Sequence, residues 1–382
     1  MPNGSELLIP EHACLVHIGF PKTGTTSIQR ALHQARDQMR AAGVSYPGTD
    51  RYHKMPGIAI TQAPGRLGDR PATDADWVEL ADEVRRDPGR RVIVSSEWLS
   101  QATDEQAQRV VDDLGGDRVH ILATLRPLAK ILPSAWQQYL QNGVRVDYDT
   151  WLRGMLLDAP YDKPTPTFWK RHRHDLILAR WAKAAGTDHV TALVVDSRDH
   201  DLLLRQFEEL LGLPDGMLVP GPTERDNRSL SWGEAEMLRL VNTEFKKRKW
   251  PDRLYREAIR NGVVNRLALS RPAASDLQSI PTPDWALDRA AELGNEIADG
   301  IGALGIRIVG DLDALRARQS GGATSTAPPT LPAGLAAEAV VAAINAMRRE
   351  QAKGAKVLKA AAGGRHTATG KSRLIGRLRR SS

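Results

Sequence analysis

Short runs of apolar and β-branched residues alternate along the chain with longer segments whose apolar positions recur at helical spacing. The runs ACLVHIGF (13–20), RVIVSSE (91–97), VHILATLR (119–126) and HVTALVVD (189–196) predict strands, because continuous Val, Ile and Leu suit a strand buried on both faces. The segments SIQRALHQARDQMRAAG (27–43), DEQAQRVVDDLG (104–115), PSAWQQYLQNG (133–143), LILARWAKAAG (176–186) and LLLRQFEELLG (202–212) predict helices, most of them closed by a glycine. Strands separated by helices imply an α/β fold, an open parallel sheet with helices on both faces. In such a sheet ligands sit beyond the carboxyl ends of the strands, so the residues that follow each strand are the ones to inspect.

The pattern stops near residue 318. Residues 319–334, QSGGATSTAPPTLPAG, have no apolar periodicity and read as a flexible linker between a body (1–318) and a basic, partly helical tail (335–382). Charge supports that division. From Arg348 onward there are eleven Lys and Arg against the single acid Glu350, so the whole-chain charge of +7 leaves −3 on everything before it. Basicity is thus a property of the tail: it predicts contact with an anionic membrane or polyanion there, and no specific nucleic-acid partner for the body. The lone Cys14 excludes an internal disulfide framework and multi-cysteine zinc sites, and no His, Asp or Glu spacing suggests metal ligands. No apolar run approaches the roughly 18 residues of a membrane span, and the start lacks a signal-peptide pattern. The expectation is a soluble, cytoplasmic protein whose membrane contact, if any, runs through the tail.

The first strand leads into Gly19-Phe20-Pro21-Lys22-Thr23-Gly24-Thr25-Thr26-Ser27, where a helix begins. A glycine-containing loop at a helix N-terminus gathers backbone N–H groups and the positive end of the helix dipole, and so favours an anion. Gly24 lets the backbone approach that anion, and Thr25, Thr26 and Ser27 add hydroxyls. The loop differs from the nucleoside-triphosphate pattern G-x-x-x-x-G-K-[ST]: the glycine spacing is kept, but Thr25 stands where the lysine belongs and Lys22 lies two residues before Gly24.

PKTGTTS (21–27) resembles the phosphosulfate-binding loop of sulfotransferases that use 3′-phosphoadenosine 5′-phosphosulfate (PAPS). The resemblance implies a P-loop-like sulfotransferase fold over residues 1–318, with Lys22, Thr23, Gly24, Thr25, Thr26 and Ser27 on the phosphosulfate. It also implies an arginine at a later strand end, followed eight residues on by a serine, together holding the 3′-phosphate. Arg126 and Ser134 stand at that spacing, with Ser134 expected to open a helix. Arginine suits the task because its planar fork donates two hydrogen bonds to a phosphate. The R-K-G-x-x-G-D-W-K segment of animal-type cytosolic members is missing here, and Arg225–Ser231, which gathers cations and hydroxyls before a helix, is the candidate to replace it.

Sulfuryl transfer to a hydroxyl or amine needs a base for the acceptor's proton and a cation on the departing phosphate oxygen. Lys22 suits the second task. Glu97, at the end of RVIVSSE, is the candidate base, because related enzymes carry a His or Glu at about this place. His53 is the alternative base or an acceptor contact, His17 reads as a core residue, and Trp98, with Trp136 and Tyr139, is a candidate stacking surface for the acceptor. Small molecules, carbohydrates and glycolipids remain open as acceptors, and the resemblance implies no metal. Two other readings stay open: a P-loop kinase or NTPase, best supported by Asp196 at the end of HVTALVVD, and a non-catalytic polyanion-binding protein acting through its tail.

Overall fold

The computed structural model describes residues 7–65, 70–196, 199, 201–220, 228–270, 278–320 and 329–353, and among these every strand runs parallel in one sheet. Among these the strands are β1 (Cys14–Gly19), β2 (Val44–Ser45), β3 (Arg91–Ser95), β4 (Val119–Leu125), β5 (Val190–Val194) and β6 (Arg307–Val309), in the order β2-β3-β1-β4-β5-β6. The four strands that the sequence predicts are the four central ones. The two edge strands were not predicted, because two and three residues carry too little periodicity to register; short edges also limit unwanted pairing with other chains.

Successive side chains of a strand point to opposite faces, and here both faces are covered. Cys14, Val16 and Ile18 of β1, Val92 and Val94 of β3, and Ile121 and Ala123 of β4 meet helices α4 (Asp74–Arg85), α5 (Asp104–Leu114) and α9 (His174–Ala185) through Trp77, Val110 and Trp181. The opposite set, Leu15, Ile93, Leu122 and Leu193, packs on α1 (Thr25–Gln34), α2 (Arg36–Ala41) and α10 (Leu202–Leu211) through Ile28, Leu32, Met39 and Phe207. This double burial explains why the strands read as unbroken apolar runs. It also seals Cys14 completely, and burial pushes its thiol up to about 12. Between α2 and α5 lie α3 (Lys54–Thr61) and α4; beyond β4 come α6 (Leu128–Leu140), α7 (Tyr148–Leu156), α8 (Phe168–His172), α9, α10 and α11 (Trp232–Lys247).

By contact, the chain groups into two compact units, Met1–Asn242 with Gln278–Pro329, and Thr243–Leu277 with Thr330–Ser382. The sheet belongs to the first. In the second, a π-helical stretch, Tyr255–Val264, faces a helix spanning 333–353. A Cβ on Gly262 would stand 3.0 Å from both the Ala342 carbonyl oxygen and the Ala346 methyl group, so glycine permits this close approach. Arg266 bridges to Glu338 at 3.2 Å. Of the expected linker and tail, residues 321–328 and 354–382 lie outside the described residues.

β1 has β3 on one side and β4 on the other; the chain takes β2 and β3 to one flank and β4 to β6 to the other. Such a reversal of strand order opens a crevice at the carboxyl ends. The β1–β4 register slips between His17 and Gly19, at the point where β1 gives way to the glycine loop. Buried hydroxyls fasten that loop to β4: Thr23 Oγ1 donates to the Phe20 carbonyl at 2.6 Å and lies 2.5 Å from Thr124 Oγ1, which reaches the Gly19 carbonyl at 3.0 Å. Replacing Thr124 with Val keeps the shape but strips the hydroxyl's contacts with the Gly19 carbonyl and Thr23. Thr124→Val is expected to lower the unfolding free energy by about 1–3 kcal/mol in urea denaturation, and an unchanged midpoint would remove this tether from the account.

Candidate active site at the carboxyl end of the sheet

The glycine loop is shaped by its backbone. Lys22 has φ +70° and Gly24 φ +95°, with a residue of ordinary conformation between them. Alternation of this kind turns successive N–H groups inward into an anion-binding concavity. A lysine in the left-handed region costs on the order of 1–2 kcal/mol, so this is a point where the fold holds a side chain against its preference. Gly24 is required twice over: its φ disfavours a side chain, and a Cβ there would approach Leu203 Cδ2 of α10 to 2.7 Å. Gly24 is exposed and caps α1, whose opening N–H groups have no intrahelical acceptor.

The predicted residues divide according to what the structure does with them. Lys22 and Arg126 come together: Arg126 follows β4, is half-buried, and donates from its guanidinium to the Lys22 carbonyl at 3.3 Å. Burial lowers the Arg126 pKa from its ordinary value, and among the described residues no carboxylate lies within ion-pair distance of it. Glu97, directly after β3, also meets the loop: the Thr25 hydroxyl donates to its Oε2 at 3.3 Å. Thr26 is exposed and Ser27 half-buried in the first turn of α1. Thr23 is 1% exposed and spends its hydroxyl on Phe20 and Thr124, leaving its backbone N–H as its contribution to the loop.

Ser134 departs from expectation. Helix α6 opens at Leu128 rather than Pro133, so Ser134 lies at the end of the second turn and not at the helix start. The expectation treated Pro133 as a helix-opening residue. Burial of Leu128, Ile131 and Leu132 draws the preceding turn into the helix, and it tolerates the missing N–H to the Ala129 carbonyl. Ser134 therefore offers a hydroxyl without the N–H groups of a helix terminus.

His53 is buried between backbone partners. Its Nδ1 accepts from the Ser95 N–H at 3.0 Å, and its Nε2 donates to the Pro47 carbonyl at 2.9 Å. Trp98 is 4% exposed, and the Arg171 guanidinium sits 5.0 Å over its ring. Trp136 is fully buried and donates from Nε1 to the Val146 carbonyl, while the Tyr139 hydroxyl meets Thr167. His17 is a core residue: its Nδ1 lies 2.9 Å from Ser95 Oγ, which Gln29 Nε2 also reaches at 3.2 Å from α1. Of the Arg225–Ser231 candidate, 225–227 lie outside the described residues. Arg228 forms a two-pronged pair with Glu234, which also accepts from the Ser231 N–H at 2.7 Å.

Sequence reasoning missed His172, Arg173 and His174 of the tetrad Arg171-His172-Arg173-His174, at the junction of α8 and α9. Besides Arg171 over Trp98, the His174 ring stacks on Phe20 at 4.1 Å, and His172 is buried with its Nδ1 unpartnered. Burial holds His172 well below the usual imidazole range, assisted by His174, Arg171 and Lys22. Its closeness to Lys22 brings this junction to the loop. The signal was present as five consecutive cationic or imidazole side chains, Lys170 to His174, but nothing in their spacing tied them to a loop about 150 residues earlier.

No protein-family profile matches the chain, and no curated protein matches it in sequence. Among solved structures it is similar to a sulfotransferase from Alicyclobacillus acidocaldarius, with 18% identity and a TM-score of 0.39, covering 65% of this chain and 95% of that one. The functional reading accordingly rests on the side chains around the loop.

Burial holds His17 and His174 at about 3, and depresses His53 and His172 as well. In the unfolded chain these imidazoles take up protons near pH 6.5, whereas in the fold they stay neutral. The unfolded state therefore binds more protons as pH falls, and stability present above about pH 6.5 is lost on acidification, by up to roughly 1.4 kcal/mol per pH unit for each histidine. The melting temperature is expected to fall steadily from pH 7 to pH 5, and His17→Gln to flatten that dependence. A flat profile for the unmodified protein would contradict the neutral, buried assignment.

Proposed function

We propose that the protein is a sulfotransferase that takes its sulfuryl group from PAPS and passes it to a hydroxyl or amine of a small-molecule, carbohydrate or glycolipid acceptor. The observation that carries this reading is Arg126: a half-buried cation with no carboxylate beside it among the described residues, bound to the carbonyl of the loop lysine. A desolvated guanidinium in that position calls for an anion. The inward-turned N–H groups at Gly24 and the start of α1 call for a second one close by. A nucleotide with a 5′-phosphosulfate and a 3′-phosphate carries two such groups.

The donor set fits that ligand. Lys22 and the N–H groups of Thr23 to Thr26 would hold the phosphosulfate, and Arg126 the 3′-phosphate, with Ser134 as a hydroxyl partner. When bound, PAPS supplies the sulfuryl group, whose bond to a phosphate oxygen breaks as a bond to the acceptor oxygen or nitrogen forms. Glu97 takes the proton released by the acceptor, its carboxylate being held at the loop by the Thr25 hydroxyl. The Lys22 ammonium balances the negative charge left on the departing phosphate. The kinase reading is weaker, because its best residue, Asp196, follows β5, which β4 separates from β1.

Ligand binding separates the two readings. Adenosine 3′,5′-bisphosphate at about one hundred times its Kd is expected to stabilise the protein by about 2.7 kcal/mol, read as a rise in melting temperature, while ATP with Mg²⁺ does little. The reverse pattern would replace this proposal with the kinase reading.

A screen of labelled PAPS against glycans, glycolipids and phenols supplies the acceptor for a kinetic test. Lys22→Ala is expected to reduce kcat by about 10²–10³. Glu97→Gln is expected to reduce it by about 10²–10⁴ with bisphosphate affinity unchanged. Near-normal turnover in Glu97→Gln would move the proton-accepting role elsewhere, with the neutral His172 as next candidate.

A further inference from the structure

The helix spanning 333–353 is apolar on two opposite faces. Leu335, Ala339, Ala342 and Ala346 recur at helical spacing and are buried at 5–8% exposure, the last two against Gly262. Half a turn away, Val340, Val341 and Ile344 are 59%, 55% and 54% exposed, and the small Ala333 and Ala337 extend the same face. A second apolar face opposite a packed one is a surface that gains from being covered. Single exposed apolar residues need no explanation, but three large ones in five positions, opposite the buried face of the same helix, form a stripe.

Charge selects what covers it. Arg348 continues the stripe one turn beyond Ile344 and is exposed, as are Arg349 and Lys353. The sequence then adds eight further Lys and Arg between 354 and 382, with no acid. A second copy of the chain would bring this positive charge against itself. A nucleic acid would meet the cations but leave Val340, Val341 and Ile344 wet. A bilayer with anionic headgroups satisfies both, taking the apolar side chains at the acyl boundary and the cations at the phosphates. Among the described residues no helix is long and apolar enough to cross a membrane, so the contact is one of lying on the surface.

We propose that the outer face of helix 333–353 docks on an anionic lipid bilayer, with Val340, Val341 and Ile344 entering the interface and Arg348, with Arg349 beside it, on the headgroups. The site is independent of the loop chemistry, so it stands or falls separately from the sulfotransferase reading.

The test is co-sedimentation of the intact protein with phosphatidylcholine vesicles, with and without about one-third phosphatidylglycerol. The protein is expected to pellet only with the anionic vesicles and to be released by salt. Val340→Asp with Ile344→Asp is expected to lower partitioning by at least about tenfold without changing the melting temperature, since both side chains are already in water. Arg348→Glu with Arg349→Glu is expected to weaken it independently. Equal binding to neutral vesicles, full binding by the Val340/Ile344 variant, or retention on heparin without vesicle binding would each overturn the proposal. So would a dimer that the Val340/Ile344 variant dissolves, which would make a second copy the occupant.

Discussion

A half-buried guanidinium held against a backbone carbonyl, with no carboxylate within ion-pair distance among the described residues, is costly to maintain, and the carboxyl end of the sheet is organised around that cost. Arg126 leaves β4 where the β1 loop turns, and the loop's Lys22 accepts its N–H while adding a second positive charge. Helix α1 contributes the positive end of its dipole at the same place. Three sources of positive potential converge, and Glu97 reaches the same loop as the acceptor of the Thr25 hydroxyl. The two histidines of the neighbouring junction add no charge of their own: His172 and His174 are driven to the neutral form by burial. A pocket of this kind is stable only in so far as the fold pins each cation in place.

The pinning is done by polar groups that never touch solvent. Thr23 and Thr124 fasten the loop from β4, while Ser95 joins His17 of β1 to Gln29 of α1. His53 ties the start of α3 to the end of β3 through the Ser95 N–H. These groups are buried and hydrogen-bonded, so each is costly to remove. Their arrangement lets a strained Lys22 backbone persist without loosening the turn, as a functional loop requires.

Much of this was legible in the sequence, for definite reasons. The central strands are buried on both faces, and that condition writes itself as unbroken apolar runs. Gly24 and Lys22 were legible because a loop between a strand and a helix has few ways to present N–H groups. Arg126 was legible because it ends a strand. Ser134 was misplaced because the tertiary burial of Leu128, Ile131 and Leu132 outweighs the local message of Pro133. The role of the tetrad at 171–174 escaped because it comes from contacts with Phe20, Lys22 and Trp98, which only folding brings near. His53 was noticed as chemistry and turned out to have both ring nitrogens on the backbone, a distinction that composition does not encode.

The sealed thiol of Cys14 has a consequence of its own. It is the thiolate that attacks peroxides and disulfides, and a thiol pushed up to about 12 inside the central strand supplies almost none of it. As the only cysteine in the chain, it leaves the strand that carries the glycine loop indifferent to oxidants that silence enzymes through sulfur. A change of oxidative conditions that altered this protein's output would act by a route other than this thiol.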